Sequence, residues 1–319
     1  MNLLLTGGAG FIGSHILEAA INDSRIERIR VLDNLSSGFI RNIEPFLDNA
    51  KVEFVEGDIR NRETCAEVMK GITAVCHQAA MGSVPRSIKT PDLTHDNNVT
   101  GFINIATAAR DEGIKRMVYA SSSSTYGDAN YQPKVESRIG RPLSPYAVSK
   151  LANELYAEVF SKNYGMTIAG FRYFNVFGPR QDPNGAYAAV IPLFFKHALT
   201  ETSPIINGDG SITRDYTYVA NVVKANINAL FSESFSGHEV FNIACGATTT
   251  LNELWQQIKV VTGSSSEAVH GPNRPGDIFH SLADISKAAR LIDYINLTDL
   301  SSGLDQALLW YKSQLTVDR

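Results

Sequence analysis

A short apolar run, Asn2 to Thr6, leads into Gly7-Gly8-Ala9-Gly10-Phe11-Ile12-Gly13 and continues as Ser14-His15-Ile16-Leu17-Glu18-Ala19-Ala20. This pattern reads as strand, tight glycine turn, helix. Glycines at the turn allow positive φ and let the backbone approach a pyrophosphate at a helix N-terminus, while the last glycine permits close packing of helix on strand. Asp33 stands 20 residues after Gly13, at the end of a second apolar run, Ile29-Arg30-Val31-Leu32. A carboxylate there accepts the ribose hydroxyls of NAD and repels the extra phosphate of NADP. The spacing predicts an α/β chain with a Rossmann-type, doubly wound parallel sheet. Its first turn would hold NAD through Gly7, Gly10, Phe11, Ile12, Gly13, Asp33 and Asn34.

The strand-helix alternation continues. Residues 52 to 55 read as a strand running into Gly57-Asp58-Ile59, where Asp58 either reaches the adenine or caps the next helix. Ala74-Val75-Cys76-His77-Gln78-Ala79-Ala80 reads as a buried strand whose small last residues leave room beside a cofactor, with His77 packed rather than catalytic. Asn97 or Asn98 either supports the site or caps a helix over 97 to 112. The strand 115 to 120 delivers Ser121-Ser122-Ser123-Ser124-Thr125-Tyr126-Gly127 at its carboxyl end, where ligands of open parallel sheets bind.

Tyr146 and Lys150 stand four apart at the start of a helix expected over 146 to 164, so their side chains share one face. A free tyrosine ionises near pH ~10, and a nearby ammonium favours the phenolate. Such a phenolate is a candidate general base. The bland alternative is a surface pair at the same spacing. A strand over 167 to 172 follows, ending in Phe171-Arg172-Tyr173-Phe174-Asn175, after which glycine and proline punctuation suggests a smaller lobe. The expected division is a cofactor domain, 1 to 174, and a substrate domain, 175 to 319, with part of the second half returning to the first.

Composition narrows the alternatives. The net charge of −4 and the lack of a basic stripe argue against nucleic acid as a partner. Cys65, Cys76 and Cys245 are odd in number and widely separated, which speaks against a disulfide framework. No histidine pair has helical ligand spacing, so no metal is expected. No run of about 18 apolar residues occurs and the apolar start is too short for a signal segment, so the cytoplasm is the expected compartment and no membrane is involved.

Taken together, the glycine turn, the serine run before Tyr126-Gly127, Tyr146-x-x-x-Lys150 and Phe171-Arg172-Tyr173-Phe174-Asn175 resemble the extended short-chain dehydrogenase/reductase family over essentially the whole chain. Within it the chain resembles the UDP-sugar 4-epimerases. Gly82-Ser83-Val84-Pro85-Arg86-Ser87, the stretch from Arg180 to Pro192 and Asn207-Gly208-Asp209-Gly210 are similar to bacterial UDP-N-acetylglucosamine 4-epimerases of surface-polysaccharide pathways. That resemblance implies Ser122 as the catalytic hydroxyl beside Tyr146 and Lys150. It places Gly82, Ser83, Ser123, Ser124, Gln181, Ala189, Val190 and Ser281 around the hexose, and Asn175, Asn207, Arg214, Arg274 and Asp277 on the nucleotide. It adds Ile59, Gln78, Ala79, Ala80 and Tyr173 to the NAD contacts. Ser281 stands where epimerases restricted to non-acetylated sugars carry tyrosine, which leaves space for an N-acetyl group. The implied activity is NAD-dependent interconversion of UDP-GlcNAc and UDP-GalNAc, with UDP-glucose and UDP-galactose to some extent, in a homodimer. Rival readings are a UDP-hexuronic acid 4-epimerase, a sugar-nucleotide 4,6-dehydratase and a non-catalytic NAD-binding protein. The dehydratase reading lacks its acid/base carboxylates, because Ser123 and Ser124 occupy their positions.

Overall fold

A computed structural model of the chain describes residues 1–184, 188–272 and 279–317. Its centre is a seven-stranded, all-parallel sheet. Six strands come from the first half: β1 (Asn2–Thr6), β2 (Arg28–Asp33), β3 (Val52–Glu56), β4 (Ala74–His77), β5 (Arg116–Ala120) and β6 (Thr167–Tyr173). From one edge the order runs His238–Ile243, β6, β5, β4, β1, β2, β3. Helices cover both faces, so the central strands are apolar along their length; β4 is buried at every residue.

On one face the helix Phe11–Asn22 packs against Val219–Phe231, and on the other Arg62–Met69 packs against Gly101–Asp111, itself beside Pro145–Tyr164. The strand order turns back between β1 and β4, which opens a crevice outside their carboxyl ends.

The helix that carries Tyr146 is held at both ends. Ser144 Oγ accepts the backbone N–H of Ala147 at 3.1 Å, Pro145 occupies the first turn, and Gly165 closes the helix with φ +63°. The start lies one residue before the sequence expectation, because proline is well suited to a first helical position.

The second half builds a separate apolar cluster in which Phe194, Phe195, Trp255, Leu304 and Tyr311 are buried together. Its helices are Val190–Leu199, Leu251–Thr262 and Leu300–Val317. The same half also supplies the seventh strand, which pairs with β6 from His238↔Ile168 to Ile243↔Tyr173. Among the described residues no helix is long and apolar enough to cross a membrane.

Candidate active site

The glycine turn is closed to side chains by contacts with strand ends. Gly7 has φ +70° and donates its N–H to Leu32 O at 2.8 Å. A Cβ on Gly7 would lie 2.6 Å from Ala79 N, and one on Gly13 only 2.1 Å from Gly7 O. Gly10 is less tight, with 3.2 Å to the same oxygen. Phe11 and Ile12, the first residues of the helix, turn toward the second apolar cluster. The backbone N–H groups at this helix start are thus open to a diphosphate.

Asp33 faces the same crevice. Its Oδ2 accepts Ala9 N and its Oδ1 accepts Leu35 N, both at 2.9 Å. Burial pushes its pKa up, against these backbone donors. The crevice brings together Gly7, Gly10, Asp33, Asn34, Ile59, Gln78, Ala79 and Ala80 with Ser36, Ser37, Gly38, Met81, Arg86 and Asn97. The polar, glycine-ended run after Asp33 was a loop signal for three of the latter. Arg86 belongs to a segment expected beside the hexose, yet it reaches the cofactor crevice.

Asp58 does not cap the following helix; Asn61 does, accepting Thr64 N at 3.0 Å. Asp58 instead accepts from Asn34 Nδ2 at 2.9 Å and pairs with Arg60, whose guanidinium holds its carboxyl at about 2. Asn98 is no cap either. Its amide ties Met81, through N–H to Oδ1 at 2.7 Å, to Ser149 Oγ at 3.0 Å.

The acid/base groups gather at the end of β5. The Ser122 side chain is the influence that lowers the Tyr146 pKa, and its Oγ accepts Ser124 N at 3.1 Å. Ser123 opens the short turn that follows, and Ser124 Oγ is buried without a partner among the described residues. Lys150 Nζ donates to Ala120 O at 2.8 Å and lies 5.9 Å from the centre of the Tyr146 ring. Burial brings Lys150 down to about 8.

One expectation is corrected here. The spacing predicts a tyrosine pKa lowered by Lys150, but burial raises it, and the opposing influence is Ser122. The physical reason is that the ammonium turns to a carbonyl rather than to the phenol. His77 is packed, with Nδ1 2.8 Å from Thr6 Oγ1, and burial lowers it to about 3. Tyr173 donates to Gln78 Oε1 at 3.0 Å and accepts from Asn226 Nδ2 at 2.8 Å, while Gln78 Nε2 donates to Asn226 Oδ1 at 2.9 Å. Asn226 closes this triangle from the second half and carried no sequence signal.

A second cavity of about 570 Å³ brings together Asn175, Val190, Asn207 and Arg214 with Phe194, Ile206, Tyr216 and Leu251. Asn175 has φ +34° and donates Nδ2 to Asp215 O at 2.9 Å. Asp215, next in the chain to Arg214, is fully buried beneath this wall. Its carboxylate accepts Cys245 N at 2.9 Å, Gly246 N at 3.0 Å and Ala283 N at 3.3 Å, and burial raises it to about 6 against those donors.

Gln181 donates Nε2 to Val176 O at 3.0 Å, and its buried Oε1 has no partner among the described residues. Ala189 is the exposed residue at the start of Val190–Leu199. Gly82 is exposed, with open space where a Cβ would stand, and Ser83 holds φ +109° while its Oγ accepts Arg86 N. Ser281 is half-buried between His280 and Leu282, both tied to Gln132. Neither Gly82, Ser83 nor Ser281 lines the second cavity. Arg274 and Asp277 lie outside the described residues. Among the described residues no cluster of His, Cys, Asp and Glu is placed to hold a metal.

This geometry has counterparts. The profile of the NAD dependent epimerase/dehydratase family matches residues 3–244. A putative UDP-glucose 4-epimerase of Methanocaldococcus jannaschii is 40% identical over 313 residues, covering 98% of each chain. Among solved structures, a UDP-glucose 4-epimerase from Thermotoga maritima with UDP-glucose superposes with a TM-score of 0.92 at 35% identity, covering 99% of this chain and 100% of that one. A UDP-N-acetylglucosamine 4-epimerase from Methanobrevibacter ruminantium M1, in complex with UDP-N-acetylmuramic acid, gives 0.90 at 38% identity, covering 98% of both. The sealed glycine turn, the acidic end of β2 and a tyrosine, lysine and serine gathered at the end of β5 belong to a chain of the NAD-dependent epimerase/dehydratase family, among its UDP-sugar 4-epimerases.

Proposed function

We propose that this enzyme interconverts UDP-N-acetylglucosamine and UDP-N-acetylgalactosamine at C4, and turns over UDP-glucose and UDP-galactose as a second pair. The observation that carries the reading is that Tyr146, Ser122 and Lys150 come together at the end of β5, the strand next to β4, whose following residues Gln78, Ala79 and Ala80 line the crevice of the glycine turn. NAD, when bound there, supplies the hydride acceptor for C4 and then returns the hydride. The diphosphate would lie over the N-terminus of Phe11–Asn22, with the ribose hydroxyls on Asp33.

Tyr146, as phenolate, takes the proton of the sugar O4, and Ser122 holds that oxygen in line. Lys150, anchored on Ala120 O, keeps a positive charge near the phenol and near the cofactor ribose. Ser124, whose buried hydroxyl lacks a partner, is available to a hexose hydroxyl. The 4-keto sugar then turns within the site while the uridine diphosphate stays in the second cavity, on Asn175, Asn207 and Arg214. Binding energy from the unreactive nucleotide thus retains a reactive intermediate. Tyr146 finally returns its proton to O4 on the inverted centre. This division of labour assigns residues 1 to 174 to the cofactor and most of 175 to 319 to the sugar nucleotide.

Preference for the acetylated pair is supported by small groups at Gly82 and Ser281, the former with open space around it. The second pair is favoured by the names of the Methanocaldococcus and Thermotoga relatives.

The deciding experiment supplies UDP-GlcNAc to the protein as purified, without added cofactor, and follows UDP-GalNAc. Conversion is expected, with Tyr146→Phe slower by about 10³-fold. A wild-type rate in that variant, or no conversion by protein that retains NAD, overturns the proposal.

The homodimer belongs to the same reading. Val148, Leu155 and Val159 expose an apolar stripe on Pro145–Tyr164, each at least half accessible, with Leu143 nearby in sequence at 61%. Such a face on a helix is a surface for a second copy. Light scattering is expected to return twice the mass of 34.9 kDa.

A further inference from the structure

Tyr146, Lys150 and Glu154 succeed one another at intervals of four in the helix Pro145–Tyr164, so they form one stripe. Each approaches a different member of the consecutive trio Ala120, Ser121 and Ser122 at and just past the end of β5. Ser122 is the side chain that lowers the Tyr146 pKa, Lys150 donates to Ala120 O at 2.8 Å, and Glu154 Oε1 accepts from Ser121 Oγ at 2.6 Å. Only the third contact involves no reacting group, yet it is the most elaborately supported. Glu154 is buried and takes two bonds from Arg172 of β6, from Nε at 3.0 Å and Nη2 at 2.7 Å. Arg172 Nη1 donates to Glu136 O at 3.2 Å, and its guanidinium lies 4.7 Å over the ring of Tyr126. Tyr126 closes the serine turn and donates its hydroxyl to Asn242 Oδ1 at 2.7 Å, on the seventh strand.

We infer that Glu154, locked by Arg172, is a positioning residue: through Ser121 it sets the register between the helix of Tyr146 and the end of β5, so that the Ser122 hydroxyl meets the phenol. Stability alone does not account for the pair. Removing two charges from water costs about as much as their attraction returns, and apolar replacements are often as stable. A two-pronged arginine–carboxylate contact does supply fixed direction. The carboxylate oxygen that takes Arg172 Nε is the one that takes Ser121, so a rotation of Glu154 would break both bonds. Helix and strand end are thereby tied at Ala120 and Ser121, immediately before Ser122, and sliding by one residue would lose both bonds.

The inference rests on Tyr146 as the base, so Tyr146→Phe accompanies the test. Ser121→Ala is the main variant, because it removes one hydroxyl and strands no charge. Its kcat is expected to fall about ten-fold while KM for the UDP-sugar stays within about two-fold, the pattern of a displaced reacting group. Ultraviolet difference titration, referenced to Tyr146→Phe, is expected to show the phenol ionising at higher pH as Ser122 drifts away. The melting temperature should hold, and Ser121→Thr should restore kcat. Glu154→Gln keeps an acceptor for Ser121 but leaves Arg172 unpaired, so it should lose kcat and melting temperature together.

A Ser121→Ala enzyme with wild-type kcat and an unmoved phenol titration overturns the inference; if Tyr146→Phe is inactive in the same assay, the role of Tyr146 survives. An active Tyr146→Phe overturns both.

Discussion

The two cavities are built by different means. The cofactor crevice is made chiefly of backbone: glycines that admit no Cβ, strand ends, and N–H groups that also orient Asp33. The second cavity is made of side chains from separate segments, Asn175, Val190, Asn207, Arg214 and Leu251, over a floor tied to Asp215. Backbone-built sites tolerate little change, whereas a side-chain wall can be altered one residue at a time. On the proposed function, the cofactor belongs to the rigid site and the nucleotide of the substrate to the adaptable one.

The largest expected effect tests the rigid half. Gly13→Ala drives a methyl toward Gly7 O, 2.1 Å away, and should abolish retention of NAD while costing about 1–3 kcal/mol of stability, read by cofactor absorbance and by melting. Retained NAD would show that the turn yields, and the contrast would fail. Next comes the adaptable half. Arg214→Ala should raise KM about ten- to hundred-fold, the worth of a charge-assisted bond to phosphate, and leave kcat nearly unchanged in steady-state assays. A matching loss of kcat would mean that this wall reaches the chemistry.

Smaller again is Ser281→Tyr, expected to slow UDP-GalNAc turnover about ten-fold relative to UDP-galactose in paired assays. Equal rates on the two sugars would remove Ser281 from the hexose wall.

A last test concerns a side chain inside the rigid half and reads stability against pH rather than turnover. Lys150 titrates at about 8 in the folded protein against 10.5 unfolded. Between those values the unfolded chain holds more protons, so stability rises with pH across that window. Melting of the cofactor-free wild type should gain on Lys150→Met by about 3 kcal/mol from pH 8 to 10.5. A constant gap would show that Lys150 is solvated.

What was legible in the sequence follows the same division. The glycine turn, Asp33 and the Tyr146–Lys150 pair obey short spacings that one strand or one helix enforces, so residue types alone placed them. Arg86 shows the limit. Its segment resembles a sugar-side motif, but the direction in which Val84–Lys89 approaches the crevice depends on Asn98, which pins Met81, and on Ser83 at φ +109°. Lys150 shows another limit: spacing puts it beside Tyr146 but says nothing of Ala120 O, thirty residues earlier, which claims the ammonium. The roles of Asn226 and Asp215 were not legible because their partners lie at Gln78 and Tyr173, and at Cys245, Gly246 and Ala283, contacts that only the folded chain creates.

The Gln78–Tyr173–Asn226 triangle has a consequence for how the enzyme can be made and divided. Its three corners lie on or beside β4 and β6 and on Val219–Phe231, and the neighbouring seventh strand also comes from beyond residue 237. A ribosome that has released the first 174 residues has delivered every glycine of the turn, but not the amide that braces Gln78 or the edge partner of β6. The wall of the crevice at Gln78 and the edge of β6 are thus completed only by residues up to Ile243, so a fragment ending at 174 leaves both without their partners.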